Sequence, residues 1–110
     1  MSRAQRDKGA RAEREMVDLH RGLGLRAERV PLSGAMRYRG GGHDVDVYAF
    51  GPDSAPLVAE VKARGGGAGF VTLERWLGEN DVLFLRRDRA QPLVLVPWHV
   101  WVRLIAPSPK

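Results

Sequence analysis

The chain has 110 residues, and 18 lysines and arginines against 13 aspartates and glutamates leave a formal net charge of +5. With 44% hydrophobic and 28% charged residues it has the composition of one ordinary globular domain, which excludes collagen, a disordered polyelectrolyte and a multidomain chain. The lack of cysteine excludes a disulfide framework, thiolate metal ligation and a cysteine nucleophile, while a pI near 10.4 points to a polyanionic partner, most often nucleic acid.

The first residues, Met1 to Arg14, are charged throughout and contain no apolar run, unlike a secretory signal. No stretch approaches the ~18 consecutive apolar residues of a membrane-spanning helix, so a cytoplasmic protein is expected. Gln5 to Gly22 reads as a helix, because Ala12, Met16, Leu19 and Leu23 recur on one face of a 3.6-residue period. Arg11, Arg14 and Arg21 lie on another face, and Gly22 and Gly24 supply the stop. Leu25 to Pro31 is a short strand, followed by a glycine-rich loop from Ser33 to Gly42 that carries Arg37 and Arg39. His43 to Phe50 alternates and is rich in Val and Tyr, which predicts a strand. The turn Gly51-Pro52-Asp53-Ser54 joins it to a partner strand over Leu57 to Lys62.

Glycines from Gly65 to Gly69 break the chain before a helix over Phe70 to Gly78, with Phe70, Leu73, Trp76 and Leu77 on one side. Val82 to Leu85 and Leu93 to Val96 are short strands flanking the charged turn Arg86 to Arg89. Pro97 opens a last helix whose apolar side is Trp98, Trp101, Val102 and Ile105, and Ala106 to Lys110 forms a frayed tail. The expected architecture is therefore α/β: a mixed β-sheet flanked by helices, in the order α-β-β-β-α-β-β-α, as one domain over residues 1–110.

Chemistry concentrates between His43 and Arg64. Side chains alternate along a strand, so Asp44, Asp46 and Tyr48 face away from Val45, Val47 and Ala49, and Glu60 and Lys62 share a face of the next strand. Adjacent strands lie ~4.7–4.9 Å apart, so Asp46 and Glu60 could hold one divalent cation if they fall side by side. Hard oxygen donors of this kind suit Mg²⁺ or Mn²⁺, which can polarise a phosphoryl oxygen and activate water. Lys62 beside them could orient that water or balance charge on a phosphorane. On these residues alone the plainer alternative stays open: a half-solvated strand and an exposed Glu-x-Lys ion pair.

Lys8-Gly9, Ala12-Glu13-Arg14-Glu15, Arg29, Ser33-Gly34, Val45-Asp46-Val47 and Glu60-Val61-Lys62 occur in this order. Over Lys8 to about Trp76 this pattern resembles the PD-(D/E)xK nuclease superfamily, and within it the archaeal-type Holliday junction resolvases with their phage and prophage relatives. The resemblance implies a restriction-endonuclease-like fold and a catalytic set of Glu13, Asp46, Glu60 and Lys62, with Glu13, Asp46 and Glu60 as ligands of Mg²⁺ or Mn²⁺. It also implies that Ser33 and Arg29 touch DNA phosphate. Two departures stand out: the usual proline or small residue before the motif aspartate is absent, and Asp44 adds a further carboxylate. The second half of the chain, with Trp76, Trp98 and Trp101, matches less well.

Lys8, Arg11, Arg14 and Arg37 join Arg29 and Ser33 as candidate DNA contacts, since phosphate contacts dominate affinity for DNA. His43 is either a base or phosphate contact or an incidental strand-start residue, and the Arg86 to Arg89 turn is either a phosphate clamp or a solvated turn. The function expected is a metal-dependent endodeoxyribonuclease acting on branched DNA, foremost four-way junctions, in recombination and repair. A nuclease of flaps or mismatched duplex would share every catalytic residue, and a non-catalytic DNA-binding protein is the alternative from another class. No strand face carries the aromatic residues of an RNA-stacking sheet. A thin core and apolar residues left over in the second half predict a two-fold homodimer.

Overall fold

A computed structural model describes residues 3–30, 32–33, 36–37 and 44–107. Helix α1 spans Arg3–Gly22, two residues longer at its start than the periodicity predicts. Its sequence is dominated by Ala, Arg and Glu, all good helix formers, and contains no proline. It ends where Gly24 turns left-handed (φ 88°), and the amides of Leu23 and Leu25 donate to the carbonyl of His20 at 3.0 and 3.2 Å.

The strands β1 (Arg26–Arg29), β2 (Leu32–Ser33), β3 (Met36–Arg37), β4 (Val45–Tyr48) and β5 (Leu57–Ala59) follow. Strands β1, β4 and β5 form a three-stranded antiparallel sheet with β4 in the centre. Two cross-strand rows matter below. One joins Glu28, Asp46 and Val58, and the next joins Arg29, Val45 and Ala59. The β4–β5 hairpin is the one expected, but its ladder stops at Ala59, so Glu60, Val61 and Lys62 lie beyond the strand. The glycine-rich segment expected to be all loop contains the two-residue pairing of β2 with β3.

Val17 of α1 packs on Ala27, Val45 and Val47, with Ala49, Ala59 and Val61 at the margin of this cluster. Burying each valine side chain contributes about 1.5–3 kcal/mol, so a few such residues can hold a helix on a short sheet. All four residues of β4, the central strand, are buried, Val45 and Val47 against α1. The helix face that meets the sheet differs from the predicted stripe. Val17 and His20 are buried, whereas Leu19 is 41% exposed. Two polar side chains on the inner side of the helix have their hydrogen bonds made. His20 Nδ1 donates to the Met16 carbonyl at 2.6 Å, and Glu13 bonds Arg29 of β1. Burial of polar groups is tolerated where their hydrogen bonds are made.

The chain divides into two compact units, Met1–Ala63 with Ala106–Lys110, and Arg64–Ile105. The second contains α2 (Ala68–Leu77), the antiparallel pair β6 (Leu83–Leu85) and β7 (Leu93–Leu95), and α3 (Trp98–Ile105). Gly78 adopts φ 54° and donates its amide to the Glu74 carbonyl, closing α2. The Pro97 carbonyl accepts from the amides of Val100 and Trp101, which starts α3 where proline was expected to allow it. Apart from the added β2–β3 pairing, the element order is the one read from the sequence. The described strand pairs are all antiparallel and fall into three small sheets. Among the described residues, no helix is long and apolar enough to cross a membrane.

Candidate active site

The charged residues of the motif lie toward one end of the three-stranded sheet, the end opposite the β4–β5 turn, but on both of its faces: Glu13 on the side of α1, Asp46 on the other. Asp46 stands on the central strand, 2% exposed, between Glu28 of β1 and Val58 of β5. Because Val45 and Val47 point into the core beneath α1, Asp46 projects from the opposite face. Asp44 immediately precedes β4. Its amide donates to the Ala59 carbonyl at 2.8 Å, its carbonyl accepts from the Val30 amide at 3.0 Å, and its Oδ2 accepts from the Val61 amide at 2.8 Å. Glu60 and Lys62 follow β5, and Lys62 Nζ lies 3.0 Å from Glu60 Oε1. Both side chains are more than half exposed, so this pair is screened by water and adds little stability.

Glu13 reaches the same end of the sheet from α1. Its Oε1 accepts from Arg29 Nε at 3.1 Å and Nη2 at 2.9 Å, with its side chain only 21% exposed. Arg29 shares its row with Val45, on the helix side of the sheet. The structure therefore brings Glu13 to Arg29 and Lys62 to Glu60, and gathers no three-carboxylate cluster of Glu13, Asp46 and Glu60. Among the described residues, no group of three or more His, Asp or Glu side chains lies close enough to hold a metal ion.

Lys8, Arg11 and Arg14 are exposed on α1 at spacings of three, a solvent-facing basic row. Ser33 and Arg37 occupy the short β2–β3 pairing, opposite Met36 and Leu32 respectively, and their side chains lie outside the described ones. His43 lies outside the described residues. In the Arg86 to Arg89 turn, Arg86 Nη1 donates to the carbonyls of Arg87 and Ala90, so this guanidinium braces its own turn.

Two contributors escaped the sequence reading. Glu28 faces Asp46 across the β1–β4 pair and is bonded by Arg26, whose guanidinium also stacks 4.2 Å from the Tyr48 ring centroid. Asp44 was read as one more carboxylate on a strand face, whereas it is bound to main chain. No local signal pointed to it, because the amide it accepts from, that of Val61, lies 17 residues along the chain.

A sequence model of the family described as archaeal Holliday junction resolvase (hjc) matches residues 4–108. No curated protein and no solved structure matches the chain at a significant level.

Proposed function

Because the chain belongs to the archaeal Holliday junction resolvase family, we propose that it is a divalent-metal-dependent endonuclease that resolves four-way DNA junctions by paired phosphodiester hydrolysis. What supports this reading is the end of the three-stranded sheet where the buried Asp46 lies across from Val58, two residues before Glu60 and its partner Lys62 in the neighbouring segment, so the two acids are near each other but not directly opposite. The donor set fits a hard cation. Mg²⁺ is commonly held by one or two carboxylates, with water and substrate phosphate completing its shell, so Asp46 and Glu60 suffice without a third acid. When bound, the cation polarises a phosphoryl oxygen and lowers the pKa of its water.

The protein's own groups do the rest. Lys62 keeps an ammonium beside Glu60, where it balances charge that gathers on the phosphate in the transition state. Arg29 offers a guanidinium at the same end of the sheet, and a DNA phosphate competes with Glu13 for its donors. The ligand role that the resemblance implies for Glu13 requires that exchange, which frees its carboxylate. Lys8, Arg11, Arg14 and Arg37 by charge, and Ser33 by a hydroxyl hydrogen bond, are the phosphate contacts of this proposal, binding without reading sequence.

We assign the working form to a two-fold homodimer, since resolving a junction needs two symmetric cuts. The unit Arg64–Ile105 supports it with Phe70, Trp76, Phe84, Leu93 and Leu104 exposed, more apolar surface than a small lone unit ordinarily shows to water. The test is cleavage of end-labelled four-way junction, flap and linear duplex, with and without Mg²⁺, alongside light scattering. The expected result is paired cuts in the junction alone, dependent on Mg²⁺, from a particle of twice the 12.2 kDa chain mass. A monomer that nicks one strand of a flap would move the assignment to a flap nuclease.

A further inference from the structure

We propose that Asp44 is a positioning residue, whose carboxylate sets the main chain between Glu60 and Lys62 in the place their chemistry requires. This rests on the assignment of Asp46, Glu60 and Lys62 to a nuclease site. The need for such a device follows from the ladder. Strand β5 ends at Ala59, so the three residues Glu60, Val61 and Lys62 lack the cross-strand pairing that holds a strand residue in place. Chain beyond the last rung of a sheet moves more than chain within it. Catalysis does not tolerate that freedom, because a misplacement of ~1 Å can lower a rate by about 10²-fold.

Asp44 makes the missing connections. From one residue, the amide holds the Ala59 carbonyl at 2.8 Å and Oδ2 holds the Val61 amide at 2.8 Å, while the carbonyl takes the Val30 amide at 3.0 Å. It thereby ties the segment after β1 and the segment after β5 to the start of β4. Val61 is then fixed on two sides, by its amide on Asp44 and by its side chain against the Val45 and Val47 cluster. With Val61 fixed, the alternation of the chain turns Glu60 and Lys62 together to the other face, the one from which Asp46 projects. The charge on Asp44 strengthens its bond to the Val61 amide, but the acceptor oxygen and its reach are what the geometry requires.

This distinguishes a clamp from a metal ligand. Asparagine keeps a carbonyl oxygen at the same reach and loses the charge, whereas alanine loses the oxygen. Asp44→Asn and Asp44→Ala, made in the full chain, are compared with wild type for kcat and KM on a four-way junction, for Mg²⁺ requirement, and for hydrogen exchange at the Val61 amide. Asp44→Asn is expected to retain Val61 protection, the Mg²⁺ requirement and kcat within about threefold, as a conserved acceptor allows. Asp44→Ala is expected to exchange Val61 at least about tenfold faster and to lose about tenfold or more in kcat with KM little changed, as loss of placement dictates. An Asp44→Asn protein that loses cutting and needs more Mg²⁺ would overturn the clamp in favour of a ligand, even if Asp44→Ala does not fold. Unchanged Val61 exchange in Asp44→Ala would overturn the clamp while leaving the nuclease assignment standing. Failure of the wild-type chain to cut any branched DNA would overturn both.

Discussion

Asp46→Asn and Glu60→Gln each abolish Mg²⁺-dependent cutting of a four-way junction, while the junction is bound as tightly as by wild type or more tightly. Each substitution replaces one carboxylate oxygen by an amide nitrogen of nearly the same size. The packing around Asp46, which is 2% exposed, is therefore preserved, and the loss is confined to charge and donor type. A hard cation prefers anionic oxygen, and an amide holds it far less well. Binding moves the other way, because removing a negative charge next to a phosphate reduces repulsion. Cleavage across a Mg²⁺ titration, with affinity measured separately in EDTA, checks both halves. Wild-type cutting by either variant removes the residue it changes from the site.

Lys62→Ala lowers kcat by about 10²–10³, the usual cost of losing one preorganised partner of transition-state charge, with junction affinity close to wild type. The effect on stability is small, since the Lys62–Glu60 pair is 3.0 Å long but more than half exposed and screened by solvent. The split between a large change in turnover and a small one in affinity is the diagnostic, because an interaction made only in the transition state lowers kcat without weakening ground-state binding. Single-turnover cleavage with saturating protein measures it. A variant that binds weakly but cuts at the wild-type rate once saturated would make Lys62 a phosphate contact instead.

Much of this organisation was legible in residue spacing. The β4–β5 hairpin could be read because alternation over Val45 to Tyr48 is followed by a turn of glycine, proline and aspartate. Register is another matter. That Asp46 faces Glu28 and Val58 depends on β1 pairing with a strand far along the chain, and periodicity is silent on pairings between distant segments. The inner face of α1 was misplaced for a related reason. A hydrophobic stripe follows Leu19, yet Glu13 and His20 are on the packed side, His20 bonded to the Met16 carbonyl of its own helix and Glu13 to Arg29 of β1, a partner that emerges only once the helix meets the sheet. The short β2–β3 pairing was hidden by a glycine-rich composition that ordinarily signals loop. For the candidate site, the identities of Asp46, Glu60 and Lys62 were readable from the motif, while the ion pair between Glu13 and Arg29 and the main-chain bonds of Asp44 were not.

The rows of the three-stranded sheet also set an order of assembly. Pairing of β4 with β5 closes only the short turn between them and can zip from Val47 and Leu57 outward, a microsecond event in small hairpins. Docking of β1 must close the longer segment from Val30 to Asp44, and the entropy of that closure delays it. The rung of Arg29, Val45 and Ala59, with the Asp44 bonds just beyond it, lies farthest from the turn and is expected to close last along the hairpin, so the end that carries the chemistry is the end assembled latest. A protein organised this way is expected to be born inert: a partly folded chain has its hairpin but not its cutting edge, and does not nick DNA before its fold is complete. Pulse-labelled hydrogen exchange during refolding, timed against the appearance of cleavage, would show Val47 protected before Val45 and activity rising only with the second.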